Sequence, residues 1–126
     1  MSEENLRRCA MCYAGIKTGY TCSWPCLQRL RTKKIKIPAP VVYLISSIVE
    51  FPDMVKIGYS DNVEVRLREL QTGSPVILDI LWCFPGSYQL ESYLHGVFHK
   101  SRKHGEWFCF PDGNVIDLVC DVLPDF

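Results

Sequence analysis

A chain of 126 residues has room for one ordinary domain and a small appendage, and a 48% hydrophobic content with a mean hydropathy of +0.02 excludes a disordered tail. No apolar run approaches the roughly 18 residues of a membrane-spanning helix, and the start, MSEENLRRC, lacks the apolar core of a signal peptide, so a cytoplasmic protein without a membrane partner is expected. The formal net charge of zero hides an asymmetry: residues 1–40 carry eight Lys and Arg against two acids, and residues 41–126 carry six against twelve.

A basic arm on an acidic body suggests a nucleic-acid contact in the arm. Arg29, Arg31, Lys33 and Lys34 follow "SWPCLQ", which opens a helix, and they form a candidate phosphate-contacting surface. The plainer reading is that the lysines around 33–36 keep a linker solvated. Cys9, Cys12, Cys22 and Cys26 fall within eighteen residues. Four thiolates are the number that a tetrahedral structural zinc requires, and zinc would order a segment too poor in aliphatic side chains to fold by burial. The alternative is four ordinary thiols. Cys83, Cys109 and Cys120 sit among apolar neighbours and read as small buried hydrophobes. The expected organisation is a four-cysteine basic arm over 1–36, an "IPAP" linker over 37–40 and a second domain over 41–126.

From Val41 the pattern becomes regular. "VVYLISSIV" reads as a strand buried on both faces, "FPD" as a turn and "MVKIGYS" as an antiparallel partner. "DNVEVRLRELQTG" reads as a helix, with Asp61 and Glu64 as a capping box, Gly73 as a left-handed stop, and Val63, Leu67 and Leu70 inward. "VILDILWCF" is a third strand. "SYQLESYLHGVFHKSRKHG" is a helix with Leu90, Leu94 and Phe98 inward, "EWFCF" a short extended segment, and "DGNVIDLVCDVL" a closing helix with Val115, Leu118, Val119 and Val122 inward. The order gives an α+β domain with a small antiparallel sheet.

Several polar residues stand where a plain fold would not need them. Tyr43 is in the first strand, and Lys56 interrupts an otherwise apolar second strand. Arg66 lies beside inward Val63 and Leu67, Glu91, His95 and His99 share a helical stripe, and Glu106 opens "EWF". Lys56 reads either as a solvating group on an edge strand or as part of a site. A tyrosine, a cation, a guanidinium and a carboxylate are the parts needed to cut a phosphodiester. The carboxylate would hold Mg²⁺ (or Mn²⁺), and the guanidinium would neutralise charge in the transition state.

The blocks "VVYLI", "MVKIGYSDNVEVRLRELQTGSP", "ESYLHGVF" and "GEWF" resemble the GIY-YIG endonuclease superfamily, in its bacteriophage-type branch with a "KIG" second motif. The resemblance runs from about Val41 to Phe110. It implies a three-stranded antiparallel sheet flanked by helices and a metal-dependent endonuclease acting on DNA, with RNA left open as a partner. By position, Tyr43 would act as base or place the attacking water, Lys56 would replace the second-motif tyrosine, Arg66 would contact the scissile phosphate and Glu91 would bind the metal. His95 and Glu106-Trp107-Phe108 match the branch signature. "VVY" stands for "GIY", and lysine for tyrosine removes a hydrogen-bond acceptor. The competing reading is an inactive scaffold of the same kind that binds nucleic acid, or a protein partner through the N-terminal arm.

Overall fold

The computed structural model describes residues 7–8, 15–16, 24–34, 37, 40–47, 49–111 and 114–123. Near the N-terminus β1 (Arg7–Arg8) and β2 (Gly15–Ile16) pair antiparallel. The main sheet has five antiparallel strands, β3 (Val41–Ser47), β4 (Phe51–Ser60), β5 (Asp79–Pro85), β6 (Arg102–His104) and β7 (Trp107–Cys109), in the order β5-β3-β4-β7-β6. Among the described residues four α-helices accompany it: α1 (Trp24–Thr32), α2 (Val63–Thr72), α3 (Tyr88–Val97) and α4 (Val115–Val122).

The α+β class holds, and the strand count is corrected from three to five. The additional pair exists because α3 stops at Val97, a 3₁₀ turn follows over His99–Ser101, and Gly105 at φ +58 reverses the chain between β6 and β7. The first hairpin turn is at Val49–Glu50, one step earlier than "FPD", whose residues belong to β4. Asn62, not Asp61, caps α2: its side chain accepts from the amide of Val65 at 3.2 Å. Gly73 ends that helix at φ −98, an ordinary conformation rather than a left-handed one.

Alternation along the strands sends side chains to two cores. Val42 and Leu44 of β3, Val55 and Ile57 of β4, and Phe108 of β7 meet Leu94 of α3 and Val115 and Val119 of α4. Leu118 is exposed, whereas Val115, Val119 and partly buried Val122 of α4 face the core as expected, joined by Leu123 just past the helix. On the opposite face Val41, Tyr43 and Ile45 meet Leu27 and Leu30 of α1, Val63 of α2 and Ile80 of β5. Gln28 fastens α1 further by donating to the Ile80 carbonyl at 3.1 Å.

Cys9, Cys12 and Cys22 lie outside the described residues; Cys26 is buried in α1. Among the described residues no group of three or more His, Cys, Asp or Glu side chains could hold a metal ion, so the zinc arm gains no support. Among them, too, no helix is long and apolar enough to cross a membrane.

Candidate functional site at the free end of β4

Lys56 is not on a sheet edge. Its strand is the middle one of five, and the residue is 9% exposed. A lysine at that depth needs a partner. Glu106, just ahead of β7, supplies it: Nζ lies 3.1 Å from Oε2. The ammonium also sits 5.7 Å from the centroid of the Trp107 ring, within cation–π range.

β7 pairs with β4 only along Met54, Val55 and Lys56. Beyond that point the outer side of β4 is free of strand partners among the described residues, and other groups occupy it. The amide of Ile57 donates to the Glu106 carbonyl at 3.0 Å. On α3, His95 reaches the Ile57 carbonyl through Nε2 at 2.8 Å. A carbonyl only accepts, so Nε2 carries the proton. The His95 ring also packs 5.0 Å from Phe108. One turn earlier on the same helix, Glu91 places Oε1 3.7 Å from His95 Nε2.

Tyr43 arrives from the opposite face. It pairs in register with Gly58, and a Cβ at position 58 would overlap the Tyr43 hydroxyl and ring. The missing side chain is therefore what lets the phenol lie across β4. There its oxygen accepts from Arg66 Nε of α2 at 3.4 Å. Arg66 is otherwise half-exposed, with a loose 3.9 Å approach to Glu69.

The electrostatics follow from this crowding. Burial, and then the neighbouring charge of Glu106, hold the Glu91 carboxyl above the usual carboxylate range, against the pull of His95 and Lys56. Burial also pushes the Tyr43 phenol up, although the Arg66 guanidinium opposes it. The bond to Tyr43 in turn raises Arg66, which stays a cation.

The structure thus brings Tyr43, Lys56, Arg66, Glu91 and His95 around one end of β4, and adds Glu106, whose pairing with Lys56 no local pattern announces. His99 leaves the stripe. It is exposed in the 3₁₀ turn, and its Nδ1 bonds the Gly96 carbonyl at 2.9 Å. Among the residues proposed to grip nucleic acid, Arg29, Lys33 and Lys34 are exposed. Arg31 is turned inward, with Nη2 2.8 Å from Glu64 and Nη1 bonded to Asp79. Burial opposes its charge, but these two carboxylates outweigh it. Burial pushes the Cys83 thiol up to about 12, in keeping with its expected role as packing, whereas Cys109 and Cys120 are half-buried.

The T5orf172 domain model matches residues 40–122, well over half of the chain. The chain belongs to the T5orf172 domain family. This phage-associated domain is of the HNH/GIY-YIG-like endonuclease type and is nucleic-acid-related. The finding corrects the family drawn from the short blocks, because no GIY-YIG family model matches. Both short motifs, "VVY" and "KIG", depart from that superfamily's pattern, so block order and spacing carried most of the likeness. The T5orf172 match begins at the linker and leaves α1 outside, although Leu27 and Leu30 pack into the same core. No curated protein and no solved structure matches the chain.

Proposed function

We propose that this T5orf172 domain is a metal-dependent endonuclease that hydrolyses phosphodiester bonds in DNA at the free end of β4. One observation carries the reading. Cations, a phenol and two neighbouring carboxylates converge where β4 outruns β7, and burial, then the charge of Glu106, keeps the Glu91 carboxyl reluctant to ionise. A plain fold has no use for such an arrangement, which costs stability.

The donor set fits a small hard cation. A divalent ion would relieve the Glu91 carboxyl, which burial and the nearby Glu106 charge keep from ionising, and hard oxygens without thiolates suit Mg²⁺ or Mn²⁺ with waters completing its shell. Glu91 and Glu106 would hold it, and when bound it would polarise the phosphate and stabilise the leaving oxygen. Arg66 and Lys56 bind the phosphate oxygens and neutralise the charge that develops on them. For Lys56 this means exchanging part of its bond to Glu106 for the phosphate. Tyr43, whose phenol burial keeps protonated, orients the attacking water rather than deprotonating it. His95, donating to the Ile57 carbonyl beside Glu91, is a positioning residue. Exposed Arg29, Lys33 and Lys34 extend the contact to backbone phosphates, supporting DNA as the partner.

Purified protein with Mg²⁺ or Mn²⁺ is expected to cut at least one of supercoiled, linear, branched or single-stranded DNA, and chelation is expected to stop it. Lys56→Met should slow cutting at least tenfold while leaving the fold intact. If all four substrates survive, the enzyme reading fails and a non-cleaving binding domain takes its place. Structural zinc on Cys9, Cys12, Cys22 and Cys26 belongs to the same proposal. Metal analysis of fresh reduced protein decides it, with about one equivalent per chain expected and none refuting it.

A further inference from the structure

On the same face of β4 as Lys56, two residues back at Met54, a groove of about 220 Å³ opens between the sheet and the segment that follows α2. Its walls are almost wholly apolar: Phe51, Met54, Val76, Leu78 and Trp107. The two hydroxyls at the groove are already committed. Ser47 Oγ donates to Glu50 at 2.6 Å, and Ser74 Oγ donates to the Val76 carbonyl at 2.7 Å. The groove therefore offers aromatic and aliphatic contact and almost no hydrogen-bonding edge.

Its position relative to the phosphate-binding cations is the second observation. Trp107 belongs to both places. Its ring lines the groove, and the Lys56 ammonium lies 5.7 Å from its centroid. Along the strand, Met54 and Lys56 are two residues apart, about 7 Å at the usual strand rise. A cation for a phosphate thus stands about one nucleotide's reach from a ring-lined slot. The volume corresponds to about seven waters' share of liquid, which suits one heterocycle. Phe51, 57% exposed, lines the same groove as Trp107 and offers a second aromatic surface there.

We infer that this groove is a base-stacking subsite that takes one unpaired nucleobase next to the scissile phosphate, so that the substrate class is DNA with an unpaired or extruded nucleotide. The inference rests on the phosphodiesterase reading of the neighbouring site and deepens it. Stacking without edge contacts tolerates every base, because each has a π-face. It favours nucleotides that are already unpaired, because extrusion from a duplex costs a few kcal/mol. The preference expected is therefore for local structure, such as a bulge, a flap or a single strand, and not for a sequence.

The test is a binding cycle in the Glu91→Gln background, read by fluorescence anisotropy with a duplex carrying a one-nucleotide bulge. Removing the bulged base to leave an abasic site should weaken binding about tenfold. Phe51→Ala should weaken binding to the intact bulge by a similar factor and leave binding to the abasic bulge nearly unchanged. Phe51 is exposed, so this variant folds. Trp107→Leu, checked by circular dichroism, should weaken binding to the intact bulge more than to the abasic bulge, with some loss on both because its ring also packs against Lys56. Equal affinity for intact and abasic bulges, or equal losses in Phe51→Ala on both, overturns the subsite while the nuclease reading stands. A Phe51→Ala change in self-association without any change in DNA binding also overturns it, and assigns the groove to a second copy of this chain. Failure to bind any of these DNAs overturns both readings.

Discussion

On one face of the sheet, Val55 and Ile57 of β4 are closed over by α3, α4 and Phe108, and almost every side chain there is apolar and buried. On the other face the same strand carries Lys56 and Gly58. They lie beside Tyr43 and under the reach of Arg66, with half-exposed Glu106 at the margin. Adjacent residues of one strand thus serve opposite ends. Burial of the first set stabilises the fold, whereas the second pairs a lysine with the half-exposed Glu106 carboxylate. Stability and activity should therefore separate by face.

The largest effect is expected on the dry face. Phe108→Ala removes a fully buried ring and should cost about 3–5 kcal/mol in denaturant unfolding. A cost below about 1 kcal/mol would mean that this core is not continuous. On the wet side, Arg66→Ala should lower the cleavage rate about a hundredfold, as expected for loss of one transition-state donor. Its half-exposed side chain should change stability by no more than about 0.5 kcal/mol. A melting point that falls together with activity would erase the distinction. Gly58→Ala lies on the border: its new Cβ collides with Tyr43, and relief of the overlap should cost about 1–3 kcal/mol while displacing the phenol from Arg66. Arg66 is what opposes burial at this phenol, so ultraviolet titration of tyrosine should then find one phenol ionising less readily than in the parent protein.

The smallest effect is a pH dependence. The Glu91 carboxyl is raised, so the folded state holds its proton to higher pH than the unfolded chain does. Stability from this group is present at low pH and is lost as pH rises from the ordinary carboxylate range through the folded value. Glu91→Gln should flatten that decline, which parallel melting curves would show. Divalent-ion binding should tighten over the same range as the carboxylate forms.

Much of this architecture is legible in the sequence, because β3, β5, α2 and α3 bury regular apolar patterns. β6 is not, since Arg102–His104 are exposed polar residues that become a strand only through the Gly105 turn and pairing with β7. The α2 cap is displaced by one residue because Asp61 and Asn62 are both good caps, and only the packing of Val63 chooses between them. At the site, Tyr43, Arg66 and Glu91 stand out by residue type and spacing. The burial of Lys56 does not, because its partner Glu106 is fifty residues away. His99 continues the helical period of Glu91 and His95, but α3 ends before the stripe reaches it. The zinc expectation for the arm stays open, since Cys9, Cys12 and Cys22 lie outside the described residues.

The most direct test compares two neighbours on α3. Leu94 is fully buried in the dry core, whereas Glu91, one turn earlier, faces the free end of β4. Cleavage of DNA with Mg²⁺ and thermal unfolding should be measured on the same preparations of Glu91→Gln and Leu94→Ala. Glu91→Gln should melt no lower than the parent and lose at least a hundredfold in cleavage. Leu94→Ala should melt well below the parent and still cleave at temperatures where it is folded. Retained cleavage in Glu91→Gln would contradict the account.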